Sequence, residues 1–424
     1  MKSLEQAVQL FQAGKLAEAE AACRAFRKKA PKHPGALHLE GLCAAGRGAV
    51  GEAIELLERA ARHAPAYEEA QHDLGHLYAR AGRAEDAERV WRRSIARFPM
   101  SPAAYDALGV LLTRARRFDE AILLLVTALG LDAGDPLARK HLGDTHWDAG
   151  REAEAMPHHE AAFDLWRGPP DPVFFEHLWQ QATRAGKHDR ARAVLERWRE
   201  GCPDDPVAAH LLAASSGGAA PARASDGYVE HTFDAFAATF DEQLASIGYR
   251  THTLVAEALV RARPEEGEVG LDAGCGTGLC GPLLRPRARR LVGVDLSSAM
   301  LARAAGTGCY DELVHAELSR FLAERGGFDW IVSADTLCYF GELAGVLGGV
   351  ARALLSGGHV VFSVERLADG DAFALQAHGR YSHTPAFVER SLGDAGLTLV
   401  AQATETLRHE NGRPVEGLIV TAAR

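Results

Sequence analysis

The 424-residue sequence predicts two architectures in one chain, an all-α solenoid followed by an α/β domain on a parallel sheet. Three observations carry this. Small residues recur every 34 positions through the first half. An apolar strand, Val269-Gly270-Leu271, runs into an acid and a glycine turn, Asp272-Ala273-Gly274-Cys275-Gly276-Thr277-Gly278. Near the C terminus two β-rich arms, Leu397 to Thr406 and Leu418 to Thr421, flank Asn411-Gly412, a strong hairpin signal.

The repeat is read at several phases. Ala7, Gly41, Gly75, Gly109 and Gly143 stand 34 apart, and so do Ala19, Ala53, Ala87, Ala121 and Ala155. Gly14, Gly48, Gly82 and Gly150 mark the turns, with Arg116 in the missing slot, and Pro31, Pro65 and Pro99 close the first three units. Small residues let paired helices cross closely, and glycine makes the turn between them. A sixth unit with Trp179, Gly186 and Ala191 follows a two-residue insertion near Arg167 to Asp171. Residues 1–212 thus resemble a tetratricopeptide-repeat (TPR) array of about six helix–turn–helix units. The resemblance implies a concave face that binds a peptide or protein. Dimerisation, or packing on the rest of the chain, is the alternative. The tryptophans read as core, with Trp147 and Trp179 the exceptions expected at a ligand face. His158-His159 with His146 lacks further ligands, so it reads as a solvated helix face, and no metal site is expected.

From Ala213 onward small residues, glycine and proline without periodicity read as a linker, 213–227, ahead of a second domain, 228–424. That domain opens with Phe233, Phe236 and Phe240 on one helical face, and a further helix from Thr251 leads to the first strand. Asp295 ends a second strand, Leu291 to Val294, about 20 residues past the turn, where an acid accepts ribose hydroxyls.

Two ligands compete for the glycine turn. Gly276, Gly278 and Gly281 match the G-x-G-x-x-G spacing of a nicotinamide dinucleotide site, a weak signal alone. Asp272 opposes that reading, because a carboxylate beside a pyrophosphate is repelled. S-adenosylmethionine carries a cationic amino group and a sulfonium and no phosphate. The string Asp272-Ala-Gly274-Cys-Gly276-Thr-Gly278 closely resembles the first motif of class I S-adenosylmethionine-dependent methyltransferases.

That resemblance implies a Rossmann-like, seven-stranded sheet with a terminal antiparallel hairpin. It places Asp272, Gly274, Cys275, Gly276, Gly278, Asp295, Leu296, Met300, Glu317, Leu318 and Asp335 around the cofactor, with Tyr228 and Phe240 from a covering helix. The repeat-then-methyltransferase order, with Gly379 to Thr384 and Leu407 to Gly417 as tail motifs, looks like the predicted bacterial TPR methyltransferases. On the acceptor side, His383 and His231 are candidate bases, with Tyr339 beside them as a catalytic candidate. Arg380, Tyr381 and Arg408 are candidate substrate contacts, the two arginines able to grip a carboxylate. An inert or cofactor-sensing fold serving as an interaction scaffold, and a small-molecule methyltransferase with TPR-mediated oligomerisation, remain the other readings.

Composition bounds the partners. There is no run of 18 apolar residues, and the amphipathic, acid-containing N terminus is no signal peptide. Seven cysteines without a CxxC pair read as free thiols in a reducing cytoplasm. Residues 228–424 hold 17 Arg, no Lys and 25 acids, and the chain carries −10 overall. That surplus argues against a nucleic-acid substrate, which needs neutralising cations, and no membrane partner is expected.

Overall fold

The computed structural model describes residues 4–215, 220–263, 265–370, 372–410 and 412–424. Its contacts form two units, Met1–Gln181 and Ala182–Arg424.

In the first unit helices pair in register with the sequence period: Leu4–Gln12 with Leu16–Arg27, Pro34–Gly46 with Val50–His63, Glu68–Arg80 with Ala84–Arg97, Pro102–Arg114 with Phe118–Leu131, and Pro136–Asp148 with Glu152–Leu165. The crossing positions explain the clock. A Cβ on Gly41 would stand 2.1 Å from Leu57, on Gly75 2.3 Å from Trp91, and on Gly143 2.2 Å from His159. Each large side chain therefore fills the space that its partner glycine leaves. Gly14, Gly48, Gly82 and Gly150 turn with φ of +73° to +85°, and Arg116 adopts +59° in the same slot. A left-handed arginine costs about 1–2 kcal/mol, and packing over the Phe118 ring at 5.4 Å accompanies it.

Two expectations in this unit are corrected. His159 is fully buried core, bonded to Asp144 at 3.0 Å and to Gln181, because it occupies the crossing slot opposite Gly143. Trp179 is likewise buried, whereas Trp147 is half-buried beside His177.

In the second unit, helices His188–Gly201 and Pro206–Ser215 come before the α/β elements. The packing division thus falls ahead of the boundary that composition suggested at 212. His210, on the second of these helices, stacks on Tyr228 with ring centroids 3.9 Å apart and donates from Nε2 to the Gly379 carbonyl at 2.8 Å. Of the linker 213–227, residues 216–219 lie outside the described residues. Beyond them the chain is a strap rather than a tether. The Ala224 N–H donates to the Tyr339 carbonyl at 2.8 Å, and the Ala222 carbonyl accepts from Gly341 and Glu342 at 2.9 and 2.8 Å. Tyr381 donates its hydroxyl to the Pro221 carbonyl at 2.9 Å.

The sheet consists of β1 (Glu268–Ala273), β2 (Ala288–Asp295), β3 (Glu312–His315), β4 (Phe328–Ser333), β5 (Leu354–Arg366), β6 (Phe373–Leu375), β7 (Tyr381–His383), β8 (Thr398–Glu410) and β9 (Arg413–Ala423). Its main path is β3-β2-β1-β4-β5-β9-β8, parallel through β5, with β9 antiparallel to both neighbours. This is the expected seven-stranded sheet with a terminal hairpin. Asn411 of its turn lies outside the described residues, and Gly412 has φ +75°.

A second hairpin, β6–β7, was not foreseen. β7 pairs with Glu365 and Arg366 at the end of β5, on the side that β4 occupies lower down. It therefore sits above the carboxyl end of β4. No described helix is long and apolar enough to cross a membrane.

Candidate functional site

A cavity opens beyond the carboxyl ends of β1 to β4, where ligands of open α/β sheets bind. Its floor is the glycine turn Gly274 to Thr277, the strand end Val294 to Leu296, and Ala316 to Leu318. Gly274 has φ +77°, and a Cβ there would stand 2.0 Å from the Thr336 hydroxyl. Gly276 has φ +54°, and nothing lies within 4 Å of where its Cβ would be. The first glycine is required by protein packing. The second leaves main chain exposed to whatever the cavity holds. Asp295 is fixed against this turn, accepting from Gly276 N at 2.8 Å and Ser297 N at 2.9 Å. Burial raises its carboxyl above the usual range, and the backbone donors pull it back down.

The roof is helical but broken. The expected continuous Phe233–Phe240 face is interrupted after Phe236, and Phe240 starts a second helix, Phe240–Ser246. Phe233 and Phe240 still meet edge to face at 5.9 Å and line the cavity. The aspartates beside them act as latches. Asp234 accepts from the Ser297 hydroxyl at 2.5 Å. Asp241 accepts from Thr277 at 2.5 Å and from Arg303 at 3.0 Å. Tyr249 and His252, stacked at 5.4 Å, complete this wall. Burial lowers the His252 pKa, so its ring is neutral at pH 7.

The far end is an acid–arginine box. Arg408 is 1% exposed and donates to Glu410 at 2.7 Å, to Glu365, and to Asp335 at 3.4 Å. Arg380 reaches Glu365 and Glu410 at 3.4 Å each. Asp335 stands just past β4 with φ +53°, a conformation that non-glycine residues adopt only when held. Its N–H donates to the Ser363 hydroxyl at 2.8 Å, and that hydroxyl donates back to Oδ1 at 3.1 Å. Burial raises the Asp335 carboxyl, opposed by Arg408 and Arg380. Tyr339 lines the cavity under Phe233, and burial pushes its hydroxyl up to about 12.

Of the residues the sequence singled out, Gly274, Cys275, Gly276, Asp295, Leu296, Glu317, Leu318, Asp335, Phe240, Tyr339, Arg380 and Arg408 come together around the cavity. The Glu317 carboxylate already caps the helix Leu318–Glu324, accepting from Ser319 and Arg320.

The others do not line it. Asp272 is fully buried and accepts from the Tyr310 hydroxyl at 2.7 Å, and burial raises its pKa to about 7. Gly278 packs on Ala304 and Tyr310, and Met300 is buried in its own helix. Tyr228 packs on His210. His231 is exposed on its helix. Tyr381 is buried and tied to the strap.

His383 is the clearest correction. It is 0% exposed on β7, donates from Nε2 to the Gly341 carbonyl at 3.1 Å, and stacks on Phe387. Burial lowers its pKa to about 4, so it is a neutral core histidine with no path to a substrate proton. The proposed carboxylate grip also fails, because three acids already neutralise Arg380 and Arg408. Sequence reading missed Arg223, Ala224, Tyr249 and His252 as lining residues. The i, i+3 spacing of Tyr249 and His252, at the start of the helix Thr251–Ala262 that leads into β1, was the available signal.

The family model described as tetratricopeptide repeat matches residues 4–68, 72–136 and 107–168, and the one described as methyltransferase domain matches residues 271–362, the stretch that holds the glycine turn, Asp295 and Asp335. The chain thus carries tetratricopeptide repeats and a methyltransferase domain.

The methyltransferase domain is similar to methyltransferase-like protein 27 of Homo sapiens, 33% identical over 112 residues, covering 25% of this chain and 46% of that one. It is also similar to the biotin biosynthesis bifunctional protein BioHC of Saccharophagus degradans, 30% identical over 122 residues, covering 28% and 22%. The chain thus spans less than half the length of either relative. Among solved structures, magnesium protoporphyrin IX methyltransferase from Synechocystis PCC 6803 with bound SAM aligns at 20% identity and TM-score 0.33, covering 41% of this chain and 78% of that one. MamA from Desulfovibrio magneticus RS-1 aligns at 19% identity and TM-score 0.35, covering 38% and 90%.

Proposed function

We propose that this chain transfers a methyl group from S-adenosylmethionine to an acceptor that the TPR array recruits as a peptide or protein. The observation that carries the cofactor reading is the open space at Gly276 beside Asp295. Any side chain at Gly276 would project into the cavity, and the carboxylate next to it is already oriented by two backbone donors. A neutral pair of ribose hydroxyls suits that carboxylate, and the methyltransferase-domain match over residues 271–362 favours S-adenosylmethionine as the molecule that carries them. S-adenosylmethionine supplies an electrophilic methyl group on a sulfonium leaving group.

The chain's own residues do the rest. The remaining lone pairs of Asp295 would accept the ribose hydroxyls, with Leu296 and Leu318 as apolar walls beside the base. Phe233, Phe240 and Tyr339 exclude water from the reacting end. Aligning acceptor and donor is the main catalytic demand of such a displacement. Asp335 is the group placed to hold an acceptor's proton, since it borders the cavity and Ser363 and Arg408 fix its orientation. Tyr339 stays protonated at neutral pH, so its hydroxyl keeps a proton to donate to the acceptor. Neither His383 nor His231 takes part.

Isothermal titration of the full chain with S-adenosylmethionine and with NAD tests this. Asp295→Ala removes charge-assisted hydrogen bonds worth roughly 1.5–3 kcal/mol each, so affinity for S-adenosylmethionine should fall at least about tenfold. Binding of NAD without S-adenosylmethionine would overturn the reading. A mass-spectrometric search for +14 Da products in lysate then identifies the acceptor.

A further inference from the structure

We propose that the repeat array carries a groove for an extended acidic peptide, with acids at alternate positions, between the second helices of its second and third repeats. The proposal rests on the array as a recruiting surface, and its test does not depend on methyl transfer. The groove lies between Val50–His63, Glu68–Arg80 and Ala84–Arg97. Arg89, Arg93 and Arg97 stand at i, i+4 and i+8 along one face, and Arg62 lies across from them.

The charge there is available. Elsewhere on the array, Arg24, Arg47, Arg92 and Arg117 are each bridged to at least two carboxylates. Arg62, Arg93 and Arg97 have no carboxylate partner among the described residues. The two acids of the groove are taken, Glu58 by the Tyr78 hydroxyl at 2.6 Å and Asp86 by Arg83 and Arg89. A positive groove on a chain of net charge −10 is a local device, and it complements an acidic ligand.

A second observation comes from the floor. Ser94 is 3% exposed, lines the groove, and its hydroxyl has no hydrogen-bond partner among the described residues. A buried hydroxyl without a partner is uncommon, and a peptide group or carboxylate laid in the groove would satisfy it.

The spacing selects the ligand's shape. Four residues of α-helix rise about 6 Å, and two residues of extended chain advance about 6.6 Å, so Arg93 and Arg97 meet alternate side chains of an extended peptide. Its intervening residues would face outward. The next repeat favours a protein ligand over nucleic acid. Leu123 stands one repeat after Arg89 and is 67% exposed, with Val126 beside it 51% exposed. The surface therefore continues from cationic to apolar, and an acidic segment with an apolar flank fits both parts.

Fluorescence anisotropy of the full chain with a labelled twelve-residue peptide of alternating Glu and Ser, ending in two leucines, tests the site. Binding should weaken at least about tenfold in Arg62→Glu/Arg93→Glu and as salt rises from 50 to 200 mM. Arg151→Glu, outside the groove, should stay within about twofold of the wild type. Both altered positions are exposed, so folding should hold, and calorimetric titration of S-adenosylmethionine in the same variant checks that the rest of the chain is intact. Undiminished binding by the double variant would overturn the proposal. So would equal affinity for an all-serine peptide, or tighter binding of an oligothymidine of matching length.

Discussion

At one end of the methyltransferase cavity, Gly274, Gly276 and Asp295 come from a single strand–turn–strand stretch, and the polar contacts there are made by backbone N–H groups. At the other end, Glu365 of β5 and Arg408 and Glu410 of β8 meet Asp335, just past β4, and Arg380, just ahead of β7, and the contacts among them are between side chains. A main-chain cradle tolerates exchange of most neighbouring side chains, because its donors belong to every residue type. A buried ionic box does not, because each member is the counter-ion of the others. Ligand chemistry common to a whole fold can sit in the first kind of site, and chemistry particular to one protein needs the second.

The sharpest way to break this contrast is Arg408→Ala. It leaves Asp335, Glu365 and Glu410 facing one another with the partly exposed Arg380, and His378 beside Glu365 at 3.5 Å, to compensate. The expected cost is about 3–5 kcal/mol of unfolding free energy for the α/β unit, read by chemical denaturation. A loss below about 1 kcal/mol would mean the box is not an energetic unit.

His383 gives a second, pH-resolved test beside the box. Its folded pKa of about 4 lies below the ordinary histidine value of 6.5, so between pH 4 and 6.5 the unfolded chain binds the extra proton. Its contribution to stability is therefore full above pH 6.5 and is lost as pH falls toward 4, by about 3 kcal/mol in all. His383→Gln keeps a donor for the Gly341 carbonyl and removes the titration, so the variant should lose less stability than wild type between pH 7 and 4.5. Asp272, raised to about 7, works with the opposite sign, since it destabilises the fold as pH rises through its range. The comparison must therefore be variant against wild type at each pH. Parallel curves would return His383 to the list of accessible bases.

The smallest expected stability effect, and the most selective, is at the glycine end. Gly276→Ala meets no atom within 4 Å but keeps a positive φ, so the unfolding free energy should fall by only about 1–2 kcal/mol. Calorimetric affinity for S-adenosylmethionine should nonetheless drop at least about tenfold, because the new methyl group enters the cavity. Unchanged affinity would remove the glycine turn from the cofactor site.

The repeats were legible because one physical requirement, a small residue where two helices cross, recurs at a fixed phase through the first five units. The glycine turn and Asp295 were legible because backbone conformation restricts residue type. The tail was not. Arg380 to Thr384 is a polar string that reads as an exposed substrate contact, yet Tyr381, Ser382 and His383 are all buried on β7. Their strand is covered on both faces, so the usual alternation of apolar and polar residues is absent. Its placement depends on a two-residue pairing with the end of β5 that no local pattern encodes. Asp272 was misplaced for a related reason. Its partner, the Tyr310 hydroxyl, lies 38 residues away in a loop without a motif.

The strap Pro221 to Ala224 sets where this domain begins as a transferable part. Cutting or fusing at Tyr228, in the first turn of the helix Asp226–Phe236, would strip the partners from the Tyr339 carbonyl and the Gly341 and Glu342 amides and remove Arg223 and Ala224 from the cavity wall. Repeats upstream can be gained or lost by recombination without touching the ligand site only when the junction falls before Pro221. The compositional seam and the functional seam of this chain are different places, and the short stretch between them travels with the methyltransferase domain.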